Sequence, residues 1–384
     1  GKTTLTDALA FKLGLNDRMG LVANGSSISD TTEEEKARKI TVFASNFAAN
    51  YKLKEQDYRL VFTDAPGFMD FYGQILGAVR AADFALITVD AVSGVQVGTR
   101  RAWKACKEGG LSSTSFVITG LDKENASFEK ALASIRNAFG VNCVPVTAPL
   151  TADTMVNILR EENLPGHLAE LHNSLAETAA ESDDALMEKF FAQGTLTPEE
   201  ISTGLKDGIK SGDVHPIYSV LPLKGIGVTE MLDSMCRSLP CPGSRVFTNT
   251  DGVEIAADPN GPFVAQVWRT AIDTFLGQLN YIRVISGTLT PGMTIQNNTT
   301  DTKETVSALL QVVGKKQTPV AKAGPGDIVA LPKLKNTKTG NTLAAVGNAT
   351  KCPDIAFPQP VMYMALAAKT QADDDKLSNA IHRL

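Results

Sequence analysis

Tyr58-Arg59-Leu60-Val61-Phe62-Thr63 runs directly into Asp64-Ala65-Pro66-Gly67-Phe68-Met69-Asp70-Phe71, and the junction between the two stretches decides the fold. The first reads as a buried strand, and the second opens with turn residues. An Asp at a strand end can hold the shell of a Mg²⁺ ion, and a Gly amide there can touch a γ-phosphate. Alone, such a tetrapeptide is as readily a plain turn, so its neighbours have to decide.

Downstream, Phe84–Val89, Thr114–Thr119 and Val141–Val146 read as further strands. Between them Tyr72–Ala82, Val97–Glu108 and Ser127–Phe139 carry apolar residues at helical spacing. Strand–helix alternation predicts a parallel sheet covered on both faces, with ligands received where the strands end. Upstream, Gly1-Lys2-Thr3-Thr4 precedes the helical pattern Leu5–Leu13 and matches the back half of the phosphate loop GxxxxGK[ST]. Such a loop needs inward N–H groups, a Lys for the β- and γ-phosphates, a hydroxyl for Mg²⁺ and the positive end of a helix. The sequence opens inside this motif, so it is expected to be an internal piece of a longer protein that, as written, binds nucleotide poorly. Ile40-Thr41 offers a hydroxyl on a mobile loop that can close over Mg²⁺. Asp122, just past the strand ending at Thr119, is placed to accept two N–H bonds from a guanine edge. A strand-end Asp is also a common helix cap, and order and spacing together carry the nucleotide reading.

The remainder divides by composition. Residues 151–240 hold 15 acidic and 6 basic side chains, and 262–350 hold 9 basic and 4 acidic, so the net charge of −5 conceals a repelling and a receptive region for polyphosphate. From Thr151 to Leu239 the pattern is helical, with a capped start at Thr197-Pro198-Glu199-Glu200 and one strand, His215–Val220, expected to return to the sheet. Gly243–Pro262 is Gly-, Pro- and Asp-rich and reads as a linker. Phe263–Ala271, Leu279–Leu289, Met293–Gln296, Thr305–Val313 and Asp327–Leu331 are β-branched runs separated by turns, a barrel pattern. Val361–Leu366 reads as a strand and Asp373–Leu384 as a helix that stops in mid-pattern. No apolar run approaches the roughly 20 residues of a membrane span. The five cysteines lack metal spacing and read as reduced, mostly packed thiols.

With these pieces in order, a resemblance becomes specific. Asp64–Phe71, Arg80–Asp90 and Ala91–Trp103 resemble the nucleotide domain of elongation factor G, and Ser182–Phe191 and Leu196–Glu200 its helical insertion. Ser286–Leu289 and Ala323–Ala330 are similar to the family's barrel domain, and Phe357–Leu384 to the opening of its third domain. The implied fold class is α/β: a P-loop GTPase domain with a mostly parallel sheet, followed by a β-barrel domain and the start of an α+β third domain. The expected boundaries are 1–242 with an acidic insertion at about 151–212, a linker over 243–261, the barrel over 262–352 and the third domain from 357 to 384. The resemblance implies a monomeric cytoplasmic factor that binds GTP or GDP with Mg²⁺ and acts on the ribosome, touching its RNA and proteins and no membrane. Gly1, Lys2, Thr3, Thr4, Asp64, Gly67 and Asp122 would hold nucleotide, and Thr3 and Thr41 the metal.

Three positions depart from the family pattern. The histidine that follows DxPG and positions the attacking water is Phe68, and phenyl cannot hydrogen-bond water; losing such a group costs roughly 10²–10⁴ in rate. The guanine motif NKxD reads Thr119-Gly120-Leu121-Asp122. The Ser-Ala loop reads Leu221-Pro222, and Pro brings no N–H to a base. Phosphate contacts are retained and base contacts thinned, so the sequence predicts weakened guanine selectivity in a divergent paralogue. The resemblance leaves open a second reading, a ribosome-binding factor of the recycling or protection type that works by occupancy. It does not identify the ribosomal step served.

Overall fold

The computed structural model describes every residue except 162, 274, 361 and 384. It forms two compact units, one of residues 1–246 with 312–317 and one of residues 247–311 with 318–384.

The first unit opens with helices α1 (Lys2–Lys12) and α2 (Glu33–Arg38) and the hairpin β1 (Ser45–Leu53), β2 (Gln56–Asp64). Then α3 (Tyr72–Ala81), β3 (Ala85–Asp90), α4 (Val97–Glu108), β4 (Thr114–Thr119), α5 (Phe128–Phe139) and β5 (Cys143–Pro145) alternate. A second hairpin, β6 (Thr147–Thr151) and β7 (Thr154–Asn157), leads to α6 (Gly166–Ala180), α7 (Asp184–Gln193), α8 (Pro198–Ser211), β8 (His215–Ser219) and α9 (Val228–Ser238). Four strands pair in parallel in the order β3-β4-β8-β5, so the 215–220 segment does return to the sheet. All six residues of β4 are buried, and they divide between two cores. Val117 packs with Leu5, Leu9, Leu175, Ile201 and Met231, while Phe116 and Ile118 pack with Ile87, Leu132 and Ile135. Period-two alternation thus serves two apolar layers at once, which is why Phe116, Val117 and Ile118 run consecutively apolar in the middle of the strand. Each such aliphatic side chain contributes about 1.5–3 kcal/mol on burial.

Local chemistry sets the helix ends. The Thr197 hydroxyl accepts from the Glu200 amide, the Glu200 carboxylate accepts from the Thr197 amide, and Pro198 takes the first helical position of α8. Gly212, at φ 87°, ends it.

Two features of this unit differ from expectation. The partner of the 58–63 strand is β1, whose Ser-Asn-Phe-Ala-Ala-Asn sequence is too rich in small and polar residues to announce itself; it pairs antiparallel with β2 over its whole length. Residues 147–157 form a hairpin rather than the start of the helical region, its turn held by the Asp153 amide on the Thr151 hydroxyl at 3.3 Å.

The second unit begins with the short pair β9 (Phe247–Thr248) and β10 (Glu254–Ile255) inside the expected linker. There follow β11 (Val264–Asp273), β12 (Gly277–Ser286), β13 (Thr294–Asn297), β14 (Thr302–Thr305), β15 (Leu310–Val313), β16 (Lys316–Pro319), β17 (Ile328–Pro332) and β18 (Thr342–Ala345). They make one eight-stranded, barrel-like sheet in the order β14-β13-β18-β11-β12-β17-β15-β16 around Val267, Ile282, Val284, Leu309 and Leu331. The run 305–313, expected as one strand, breaks into β14 and β15 because Val306 and Leu309 turn into the core between them. β16 and β18 escape the hydrophobic pattern, being Lys-Gln-Thr-Pro and Thr-Leu-Ala-Ala.

Residues 362–366 form no strand, contrary to expectation, and residue 361 lies outside the described residues. A strand needs a neighbour for its backbone N–H and C=O groups, and none pairs with this segment among the described residues. The helix beyond it is α10 (Asp374–Arg383); the expected last residue, 384, is outside the described set.

Candidate functional site

Parallel pairing delivers the carboxyl ends of β3 and β4 to one edge of the sheet, as Asp90 and Thr119. Gly1 caps α1 there, and a Cβ on Gly1 would stand 3.4 Å from the Thr119 hydroxyl. The ammonium of Lys2 lies against the α-carbon of Gly67, where any side chain would collide with it. Lys2 and the turn after β2 therefore meet, 65 residues apart in sequence. Thr3 and Thr4 follow, half-buried in the first turn of α1.

Behind Lys2 lies a buried acidic and hydroxylic cluster. The Thr3 and Thr41 hydroxyls are 2.9 Å apart, and Thr41 donates to Asp30 Oδ1 at 2.8 Å. Asp64 ends β2 nearby; burial pushes its carboxyl up to about 6, against the pull of the Lys2 charge and the Ser29 and Thr3 hydroxyls, with Asp30 adding to the rise. Asp30 is also raised, chiefly by burial, and so is Asp7, whose Oδ1 accepts from the Ile28 amide at 2.8 Å and the Ser27 hydroxyl at 3.2 Å. Asp64 Oδ2 and Asp30 Oδ2 are buried without a hydrogen-bond partner. Orphaned buried oxygens are costly, and a hard cation or its water shell satisfies them.

This donor set fits Mg²⁺, which keeps several waters and takes few protein ligands beside phosphate oxygens. Among the described residues no three His, Cys, Asp or Glu side chains converge as an all-protein metal cage.

Glu35 holds the segment that carries Thr41. Its Oε2 accepts from the Thr31 and Thr32 amides and the Thr32 hydroxyl at 2.8–3.1 Å. Its Oε1 accepts from the Val42 and Phe43 amides, both at 3.1 Å. One carboxylate, 1% exposed, thus closes residues 31–43 into a ring around α2, and Lys39 at φ 56° ends that helix. The loop expected to be mobile is therefore a capped helix with both flanks tied. Neither Glu35, Asp30 nor Asp7 is among the sequence-derived candidates. Glu35 had a signal, since Thr32-Glu33-Glu34-Glu35 is a capping box. The two aspartates had none, because their role depends on burial.

The base end is built differently. Asp122 is exposed, and its charge is felt by Lys224 of the facing 221–224 turn, which is itself paired with Asp153 at 2.6 Å. Leu221 spends its amide on Ile226 O at 2.9 Å, and Pro222 has none to offer. Gly120 stands at φ +74°. Phe68 starts a short 3₁₀ turn (residues 69–71) and is 53% exposed.

Known proteins resemble this chain over its whole length. Residues 1–241 match the family profile described as Elongation factor Tu GTP binding domain, and residues 262–346 match Elongation factor G domain 2. Elongation factor G of Amoebophilus asiaticus (strain 5a2) is 31% identical over 425 aligned positions, covering 100% of this chain and 60% of that protein. A crystal structure from Thermus thermophilus superposes with a TM-score of 0.87 at 29% identity, covering 100% of this chain and 58% of that one. The chain thus spans 60% or less of the length of these relatives. No helix among the described residues is long and apolar enough to cross a membrane.

Proposed function

Because this chain belongs to the elongation factor G family of translational GTPases, we propose that it binds GTP and GDP with Mg²⁺ and acts on the ribosome. The supporting observation is the Thr3–Thr41 hydroxyl pair beside a buried, partnerless carboxylate oxygen of Asp64, with the Lys2 ammonium a few residues away against Gly67. Lys2 takes the phosphates, Thr3 and Thr41 the metal, Gly67 the γ-phosphate and Asp122 the base edge; Gly1 and Thr4 complete the phosphate end. Mg²⁺, when bound, supplies charge neutralisation for the phosphate oxygens. The chain's own contribution is to hold these groups and, through Glu35, to keep Thr41 within hydrogen-bond reach of Thr3. The factor works in the cytoplasm as a monomer, with 1–242 as nucleotide domain, about 151–212 as its insertion, 262–352 as barrel and 357–384 opening a third domain.

Hydrolysis is the finer question, and Phe68 frames it. An exposed phenyl gives an attacking water no partner, so turnover is slow and rests on groups the ribosome supplies. Phe68 also favours a second reading, in which the bound nucleotide is an occupancy signal with little turnover. Steady-state GTP hydrolysis by the full-length protein with ribosomes separates the two, using wild type and Phe68→His. The first reading expects ribosome-stimulated turnover in wild type, raised about 10²-fold or more by histidine. Family-like turnover in wild type that histidine leaves unchanged contradicts the role given to Phe68, and no turnover in either protein favours occupancy.

A further inference from the structure

The position that carries lysine in the guanine motif is Gly120, yet a lysine fills its space. A Cβ built on Gly120 would stand 3.0 Å from Lys123 Cε and 3.2 Å from Lys123 Cδ. The stem of Lys123 therefore folds back across Gly120, through the volume that a residue-120 side chain would need. Its ammonium continues to Asp90 at the end of β3, with which it forms a hydrogen-bonded ion pair. Asp90 is itself fixed: its other oxygen accepts from the Val92 and Ser93 amides at 3.1 and 3.3 Å. Burial opposes charge on Asp90, but Lys123 and those two amides together hold its carboxyl below the ordinary range. Gly1, at the head of α1, lies beside Thr119, the residue before Gly120, so the lysine stem sits close to that helix end.

We propose that Lys123, clamped to Asp90 across Gly120, is the wall of the nucleoside pocket, its methylene stem lying flat for a purine ring to pack on. The inference deepens the nucleotide reading and rests on it. Three features of the chain make the clamp possible. Gly120 leaves the volume empty and adopts φ +74°, a conformation a side chain resists. The turn from Gly120 O to the Lys123 amide, 3.2 Å, brings the chain back over itself. Asp90 offers a charged anchor that spans from one strand end to the next. The stem is an apolar surface with its charged head held aside, which is how a lysine covers a ring without donating to it. A methylene wall does not read base edges. Lys123 accordingly sets affinity for purine nucleotides in general, and Asp122 alone sets the choice among them.

Binding of fluorescent GDP, ADP and xanthosine diphosphate analogues to the full-length protein tests this in wild type, Lys123→Ala, Lys123→Arg, Asp90→Asn and Asp122→Asn. Lys123→Ala is expected to weaken all three ligands alike, by about tenfold. Lys123→Arg, which keeps both stem and anchor, stays near wild type. Asp90→Asn keeps the acceptor for the Val92 and Ser93 amides but loses the ionic anchor, so it weakens binding in the same sense, and the double variant with Lys123→Ala is no weaker than the worse single one. Asp122→Asn shifts preference toward the xanthosine ligand. Melting temperatures of the nucleotide-free proteins are expected to match, which separates a pocket role from a structural one. If wild type binds no nucleotide, the functional reading itself falls. If wild type binds and Lys123→Ala leaves all affinities unchanged, or changes only the GDP-to-ADP ratio, the clamp is overturned and the nucleotide reading stands.

Discussion

Asp64 holds a proton more tightly than a free aspartate because it is buried, and the Lys2 charge only partly offsets this. Its folded value of about 6 lies above the ordinary 3.8, so the unfolded chain gives up this proton first as pH rises. The stability contribution is therefore present below about pH 4 and is lost as pH climbs through about 6, a swing of roughly 2–3 kcal/mol. His215 tilts the curve the other way over an overlapping range. Burial lowers its imidazole to about 4, so its contribution is lost as pH falls from about 6.5 toward 4. Comparing Asp64→Asn with wild type isolates the aspartate. Without nucleotide, the variant is expected to melt a few degrees higher at about pH 7.5, and the difference should vanish near pH 4. A melting difference independent of pH would show that folding leaves the Asp64 carboxyl unshifted.

At the scale of elements, the segment 31–43 depends on one side chain. Replacing Glu35 by alanine removes the acceptor for four amides and one hydroxyl. The loss costs about 2–4 kcal/mol, most of it as local opening rather than global unfolding. Hydrogen exchange at the Thr31, Thr32, Val42 and Phe43 amides is expected to accelerate in Glu35→Ala while amides of β4 stay protected. Unchanged exchange at those four positions would remove Glu35 from its role. The legible and illegible elements differ for a physical reason. β4 and α5 announce themselves, being fully buried or strongly amphipathic. β1, β16 and β18 do not, because their small and polar side chains are strand only by virtue of their neighbours' hydrogen bonds. The same holds at the site. Lys2, Thr3, Asp64 and Gly67 carry motif spacing, but the Lys123–Asp90 pair and the Asp30–Thr41 bond join residues whose proximity depends on tertiary folding.

Across the whole molecule, an α/β nucleotide unit and a barrel-like unit are each built around a core of their own. Ribosome binding is our proposal, and under it the basic excess over 262–350 would be the part of the chain to lie against RNA. All of this rests on phosphate and magnesium being held at Lys2, Thr3, Thr41, Asp64 and Gly67. Titrating full-length wild type and Thr3→Ala with a fluorescent GDP analogue, with and without Mg²⁺, addresses that grip. The expected result is binding that Mg²⁺ tightens by about tenfold or more in wild type and does not tighten in Thr3→Ala. Equal affinity with and without Mg²⁺ in wild type, or no binding at all, would contradict it.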